Sequence, residues 1–118
     1  MGAGSEKYFT VEKAGQVTIV HLLFAELSLE DAEEVKSALY AHVTDTSNKF
    51  IIDLHQCVFM SSVALGVLVC LTAKIHHCHG RIALASPTKE VAVVLEITKL
   101  AKIYDVYDSR EKALASFA

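Results

Sequence analysis

The sequence lacks the features that mark several large classes of protein. It has one proline in 118 residues and is 53% hydrophobic, so no segment has the composition of a disordered tail or linker. The longest apolar stretch, Val63 to Ile75, includes Lys74 and is shorter than the roughly 20 residues that a membrane-spanning helix needs. No apolar segment follows the first methionine in MGAGSEKYF, so we expect no signal peptide and a cytoplasmic protein.

An excess of basic charge is also missing. The chain has 11 basic and 14 acidic side chains and a net charge of -3, with no basic stripe, so we expect no binding to nucleic acid. Its three cysteines, Cys57, Cys70 and Cys78, cannot all pair with one another, which favours reduced thiols. A chain of this length can bury a core on its own, and we predict a single domain over residues 1–118.

Alternating strand-like and helix-like runs predict an α/β fold. The order ββαβαβαβα is typical of a mixed β-sheet with helices packed against it. Ser28 has the sequence context of an N-cap for a first helix of about four turns, and Gly80 that of a C-cap for the second helix. The predicted strands are Tyr8 to Glu12, Gln16 to Phe24, Phe50 to Leu54, Arg81 to Ala85 and Ile103 to Tyr107; the later helices are Val63 to His79, Val91 to Ile97 and Arg110 to Phe117.

Two adjacent serines, Ser61 and Ser62, interrupt the apolar run CVFMSSVALGVLV just before the second helix. One of them can be an ordinary N-cap, a contact that contributes about 1 kcal/mol. The same position also suits a phosphate, because the start of a helix offers unpaired N–H donors and the positive end of its dipole. Both interpretations predict that the pair lies at the helix N-terminus, after the strand that contains Ile51 and Ile52.

The run FIIDLHQCVFMSSVALGVLV, with the segment from Gly80 to Phe117, resembles the STAS domain and, within it, the bacterial anti-sigma factor antagonists. Those proteins have a strand ending in Asp-Leu, an apolar dipeptide, and then Asp-Ser-Ser/Thr-Gly-Leu-Gly, with the first serine of the motif phosphorylated. The positions here that match the family pattern are Asp53, Leu54, Phe59, Met60, Leu65, Gly66, Leu68, Gly80, Pro87, Leu95, Leu100, Tyr107 and Ala113.

The phosphorylation motif itself differs from that pattern. The resemblance places Ser62 at the phosphoacceptor position, and Ser61 is the rival acceptor. Ser61 stands where the family has aspartate, Val63 where it has the second hydroxyl residue, and Ala64 where it has glycine. A further acidic position of the family, in a Gly-x-Leu-Asp pattern, corresponds to Ala25 to Ser28, where serine replaces aspartate. Serine at position 61 can still cap the helix, but it supplies no charge to a partner.

The resemblance implies a partner switch without enzyme activity or a cofactor in this chain. The unmodified protein would bind a GHKL-type serine kinase that acts as an anti-sigma factor, and that kinase would use its own ATP and magnesium to phosphorylate Ser62. A PP2C-type phosphatase is a further candidate partner. The alternative is a STAS scaffold, sensor or transport-complex subunit that is never phosphorylated. The predicted docking surface consists of Ser28, Leu29, Val58, Met60, Ser61, Val63 and Leu65.

Other reactive side chains of the sequence offer two alternative interpretations, a metal site and a catalytic site. The run His76-His77-Cys78-His79, with His55 and Cys57 elsewhere, suggests zinc, but consecutive helical residues point in different directions and structural zinc spacings are missing. We therefore expect no metal site. No nucleophile elbow surrounds Ser62 and no glycine-rich phosphate loop follows a strand, so no catalytic residues are predicted.

Overall fold

The first two strands form a hairpin. The computed structural model describes residues 8–23 and 27–118. In it β1 (Phe9–Ala14) pairs antiparallel with β2 (Val17–Leu22), and Gly15 takes the turn with φ +65°, a conformation that glycine adopts without strain. Phe24, the predicted end of the second strand, lies outside the described residues.

Three further strands extend the sheet from β2. They are β3 (Lys49–Asp53), β4 (Arg81–Ala85) and β5 (Asp105–Tyr107), and the spatial order is β1-β2-β3-β4-β5. All pairings from β2 to β5 are parallel. The apolar run of β3 places it at the centre of the sheet, where both faces are covered.

Each parallel strand leads into a helix. The helices are α1 (Leu29–Tyr40), α2 (Ser62–His77), α3 (Lys89–Ile97) and α4 (Arg110–Ala115), and a short 3₁₀ helix covers Leu100–Lys102. This confirms the predicted order ββαβαβαβα and the mixed sheet. α1 has 12 residues, slightly more than three turns rather than the predicted four.

The helices lie on both faces of the sheet. Phe50 and Ile52 of β3 belong to the larger core with α1, α2 and α3, whereas Ile51 packs on the opposite face against Ala113 of α4. Adjacent strand residues point to opposite faces, so the continuous apolar run of β3 reflects burial on both sides.

A hydroxyl side chain caps each of the four α-helices within the described residues. The side-chain oxygens of Ser28, Ser61, Thr88 and Ser109 accept hydrogen bonds from the N–H groups of Asp31, Ala64, Val91 and Lys112. The hydrogen bond from the Asp31 N–H to Ser28 confirms the prediction that Ser28 is the N-cap of the first helix. The last helix could have been capped by either Asp108 or Ser109 from the sequence alone, and the cap is Ser109.

The predicted C-cap role of Gly80 is wrong. Cys78 is the C-cap of α2, and His79, not Gly80, has the left-handed conformation, with φ 62°. The N–H groups of His79 and Gly80 donate to the carbonyls of His76 and Ile75, which is the Schellman pattern. Gly80 is instead required by packing, because a Cβ there would lie 2.0 Å from the carbonyl oxygen of Asn48.

None of the helices within residues 8–23 and 27–118 combines the length and the apolar character needed to cross a membrane.

Candidate functional site

The candidate site lies at the edge of the sheet where the parallel strands end. The carboxyl ends of parallel strands meet at one edge, and the helices that follow them begin there. The N-termini of α1 and α2 therefore lie on the same side of the molecule as residues 54–61, which join β3 to α2. The predicted docking surface falls entirely at this edge.

Ser61 and Ser62 have different positions at the start of α2. Ser61 is the N-cap, with φ -73° and ψ 168°, and its Oγ accepts the Ala64 N–H at 3.2 Å. Ser62 is the first helical residue, and its side chain is exposed. The predicted location of the pair, after the strand with Ile51 and Ile52, is confirmed. The capping hydroxyl and the exposed hydroxyl thus belong to separate residues.

The first turn of α2 has no acidic side chain. In contrast, the first turns of α1, α3 and α4 include Glu30 and Asp31, Glu90, and Glu111 respectively. Acidic groups there offset the positive end of the helix dipole. The start of α2 retains that positive potential without a carboxylate that would repel a phosphate.

Residues 54–61 are held by hydrogen bonds at several points. The Leu54 N–H donates to Ala85 O of the neighbouring strand at 2.9 Å, and the Cys57 N–H closes a turn onto Leu54 O at 2.9 Å. Thr88 Oγ1 donates to Cys57 O at 3.1 Å while also capping α3. The segment before Ser61 is therefore fixed to β4 and to the start of α3.

The buried thiol of Cys57 helps to hold this segment. Its Sγ donates to Phe59 O at 3.2 Å. Burial raises the pKa of the Cys57 thiol above its usual value, against the opposing effect of this backbone contact. A raised pKa lowers the fraction of thiolate at neutral pH, and the thiolate is the nucleophilic form.

Three large apolar side chains of this region face solvent. Leu29 is 77% exposed at the start of α1, Val58 is 64% exposed and Phe59 is 45% exposed. Leu29 and Val63 line the same open groove of about 250 Å³ between α1 and α2. Exposed apolar groups grouped at one edge are typical of a protein interaction site.

Met60 was predicted to contact a partner, but its side chain is not at the surface. Met60 is 2% exposed and belongs to the larger core, so its side chain anchors the segment from inside. Val63 and Leu65 are half-buried and pack against that core. Ser28 is exposed and caps α1. Of the predicted family motif Ala25 to Ser28, Ala25 and Glu26 lie outside the described residues.

Phe59 was not predicted as a contact residue, although its side chain is exposed next to Val58. The sequence signal was the apolar triplet Val58 to Met60 directly before the serines. Only one side chain of the triplet is buried, and the sequence does not say which one.

A polar network on the α4 face of this edge was not predicted from the sequence. His21 of β2 lies beside Asp53 of β3 in the sheet register, and its second ring nitrogen contacts Glu12 of β1. Glu12 also contacts Arg110 at the start of α4. Hydrogen bonds from His21 and from Arg110 lower the pKa of the Glu12 carboxyl below its usual value, so Glu12 is anionic at neutral pH.

Comparison with known sequences identifies the family. The sequence model of the STAS domain matches residues 8–113. The chain belongs to the STAS domain family. A relative from Thermotoga neapolitana, named "Putative anti-sigma factor antagonist TM1081 homolog", is 32% identical over 90 residues, which cover 75% of this chain and 80% of the relative.

Solved structures of STAS proteins have the same fold. The crystal structure of the Thermotoga maritima protein TM1081, also described as a putative anti-sigma factor antagonist, superposes with a TM-score of 0.82 at 27% identity and covers 95% of this chain and 96% of that chain. SpoIIAA, a Bacillus cell fate determinant solved in its phosphorylated form, gives a TM-score of 0.71 at 18% identity and covers 93% of this chain and 99% of that chain. The likeness to SpoIIAA shows the fold alone.

Proposed function

We propose that this protein is an anti-sigma factor antagonist that binds a GHKL-type serine kinase and is released when that kinase phosphorylates Ser62. The observation that carries the proposal is the exposed Ser62 hydroxyl at the first position of α2, beside exposed apolar residues of a STAS domain. The relatives described as anti-sigma factor antagonists support the same role. The proposal treats residues 1–118 as one cytoplasmic STAS domain.

Ser62 is the preferred acceptor because Ser61 is already engaged. Ser61 Oγ caps the Ala64 N–H, and a phosphate on that oxygen would disturb the cap. The first N–H groups of a helix have no partner within the helix, so a phosphate on Ser62 meets donors and the positive dipole at the start of α2. Phosphorylation at Ser62 is compatible with an intact helix.

The chemical step makes the protein a substrate and not an enzyme. Ser62 Oγ attacks the γ-phosphorus of the kinase's ATP, the bond to the β-phosphate oxygen breaks, and ADP leaves while the hydroxyl proton passes to a base of the kinase. A PP2C-type phosphatase reverses the modification by hydrolysing the phosphoserine to serine and inorganic phosphate. The ATP and the magnesium for this step belong to the kinase.

The switch acts through charge at a docking interface. A phosphoserine adds roughly -1.5 to -2 charges at neutral pH. To the exposed apolar residues Leu29 and Val58 of the predicted docking surface the proposal adds Phe59, which is also exposed, so a partner that covers all three must also desolvate the new charge. A penalty of about 3 kcal/mol weakens binding by roughly two orders of magnitude. No conformational change of the STAS domain is needed.

The local sequence around Ser62 implies a kinase adapted to it. Ser61 replaces the acidic residue of the family motif and Ala64 replaces its glycine, and Ala64 is buried. The Ala64 methyl group therefore packs into the core of the domain and does not obstruct a partner. The partner reads an uncharged Ser-Ser pair instead of an Asp-Ser pair.

The proposal is tested by measuring binding to the cognate kinase with charged variants. Ser62→Asp should weaken the complex by about 100-fold. Thr46→Asp is the matched control, because Thr46 is exposed in the segment before β3, at the opposite edge of the sheet. It adds the same charge and should leave the affinity unchanged. Equal affinities for wild type and Ser62→Asp would contradict the proposal and favour the unphosphorylated scaffold.

A second pair of variants tests the docking surface. Leu29→Ala removes a side chain that is 77% exposed at this edge, whereas Ile97→Ala removes one that is 73% exposed at the end of α3. A minority of interface residues each cost more than about 1 kcal/mol of binding free energy when truncated, and the proposal assigns Leu29 to that minority because its side chain is exposed at this edge. We expect a loss of affinity with Leu29→Ala and none with Ile97→Ala. The reverse pattern would place the interface elsewhere.

A further inference from the structure

Three side chains with metal-binding atoms converge on the α4 face of the sheet, beside the docking surface. His21 Nδ1 lies 3.1 Å from Asp53 Oδ2, and His55 Nδ1 lies 3.0 Å from Asp53 Oδ1. One ligand atom from each residue can be chosen so that all three lie within 4.8 Å of one another. The Asp53 side chain is 5% exposed and that of His21 17% exposed, whereas that of His55 is 55% exposed.

The sheet fixes the positions of these residues. His21 and Asp53 are direct neighbours in the parallel pairing of β2 with β3. His55 follows two residues later, and its own N–H donates to Asp53 Oδ1 at 3.1 Å. Two of the three side chains therefore sit on paired strands, and the third is tied to the carboxylate by its backbone.

A carboxylate orients His21 from the other side of its ring. His21 Nε2 lies 2.9 Å from Glu12 Oε1, and Glu12 is held by Arg110. A histidine that binds a metal through one nitrogen commonly donates its other N–H to a carboxylate. Both ring nitrogens of His21 face a carboxylate oxygen, but a neutral imidazole has only one N–H to donate. Unless a metal ion or a second proton occupies the other nitrogen, its lone pair points at a carboxylate oxygen.

We propose that His21, Asp53 and His55 bind one zinc ion, with Glu12 as the positioning residue for His21. Two imidazole nitrogens and one carboxylate oxygen form a donor set that suits zinc and other late transition metals better than magnesium or calcium. The carboxylates of Asp53 and Glu12 outnumber the single guanidinium of Arg110, so the pocket favours a dication when both histidines are neutral. Three protein ligands leave a fourth position for water.

The zinc ion would stabilise the segment that displays the docking surface. His55 begins the stretch that continues through the exposed residues Val58 and Phe59 to Ser61. Ligation joins this stretch to β2 and β3 through metal bonds in addition to the hydrogen bonds already described. The site is separate from Ser62, so its existence does not depend on phosphorylation or on the kinase.

Calorimetric titration of the untagged, chelator-treated full chain with zinc chloride tests the site. We expect one ion per chain for wild type and about 10-fold weaker binding or worse for His55→Ala and for Asp53→Asn. Glu12→Gln should keep the stoichiometry but weaken binding, and should shift the visible spectrum of the cobalt-substituted protein. Circular dichroism of each metal-free variant confirms that it is folded.

The control is the double variant His76→Ala/His77→Ala, which removes two exposed histidines at the end of α2. It should bind zinc as wild type does. The proposal is overturned if wild type shows no saturable binding, if folded His55→Ala and Asp53→Asn bind as tightly as wild type, or if only the His76/His77 variant loses binding. None of these readouts involves the kinase, so the zinc site and the phosphorylation switch can fail independently.

Discussion

Two glycines at opposite ends of α2 have opposite surroundings. A Cβ at Gly80 would lie 2.0 Å from Asn48 O and 2.6 Å from Asn48 Cβ, whereas a Cβ at Gly66 would meet no atom within 4 Å. Gly66 is exposed inside the helix, where alanine is favoured over glycine by about 1 kcal/mol. The same substitution should therefore have opposite effects on stability.

We predict that Gly80→Ala lowers the free energy of unfolding by about 1–3 kcal/mol, because the backbone of Asn48 must move away from the new methyl group. Gly66→Ala should raise it by about 1 kcal/mol. Urea denaturation monitored by circular dichroism measures both. A Gly80→Ala protein as stable as wild type would show that the segment before β3 can shift away from Gly80 at no cost.

Gly80 also shows which properties of a single residue the sequence pattern can predict and which depend on contacts in the fold. Its position after a polar helix end predicted that the second helix ends at His79, and α2 ends nearby at His77. The packing against Asn48, which is 32 residues earlier in the chain, could not be predicted from spacing. For the same reason the sequence of the apolar triplet Val58 to Met60 does not show that Met60 is buried and Phe59 exposed, because both depend on how that segment turns.

Among the elements, the segment from Leu54 to Ser61 depends on the hydroxyl of Thr88, the N-cap of α3. Thr88 Oγ1 accepts the Val91 N–H as the cap of α3 and donates to Cys57 O. Thr88→Ala should remove both bonds and lower the free energy of unfolding by about 2 kcal/mol. It should also speed amide hydrogen exchange in residues 57–60, because their anchor is lost.

Thr88→Ser is the matched control, since serine keeps the hydroxyl and can form both bonds. Thermal unfolding and hydrogen exchange of the two variants should differ clearly. If Thr88→Ala and Thr88→Ser behave alike, then the Thr88 hydroxyl does not hold the segment in place.

The bounds of the last strand were not predicted correctly from the sequence. Alternating residues from Ile103 to Tyr107 predicted a strand of five residues, but β5 includes only Asp105–Tyr107. Tyr104 is buried instead, and its hydroxyl lies 2.6 Å from Thr72 Oγ1 of α2. The 3₁₀ helix Leu100–Lys102 lies in the connection between α3 and β5. The sequence pattern of this segment could not predict the contact of Tyr104 with a residue 32 positions earlier in the chain.

Across the whole molecule, the alternation of strands and helices was enough to predict the order of elements, since parallel strands need helical crossovers. The position of the serine pair followed from the same pattern. The network of Glu12, His21, Asp53 and His55 did not, because its members come together only through the strand pairing. Glu12 and His21 are 9 residues apart and His21 and Asp53 are 32 apart, so no local sequence pattern indicates that they are in contact.

The central claim is that Ser62 is the phosphate acceptor that ends the complex with the kinase. The most direct measurement incubates the protein with its cognate kinase, ATP and magnesium and maps the modified residue by mass spectrometry while following the complex by size-exclusion chromatography. We expect one phosphate on Ser62 of wild type and of Ser61→Ala, none on Ser62→Ala, and dissociation of the complex only when phosphate is incorporated. Wild type that binds the kinase but stays unmodified, or Ser62→Ala that is phosphorylated as readily as wild type, would contradict this account.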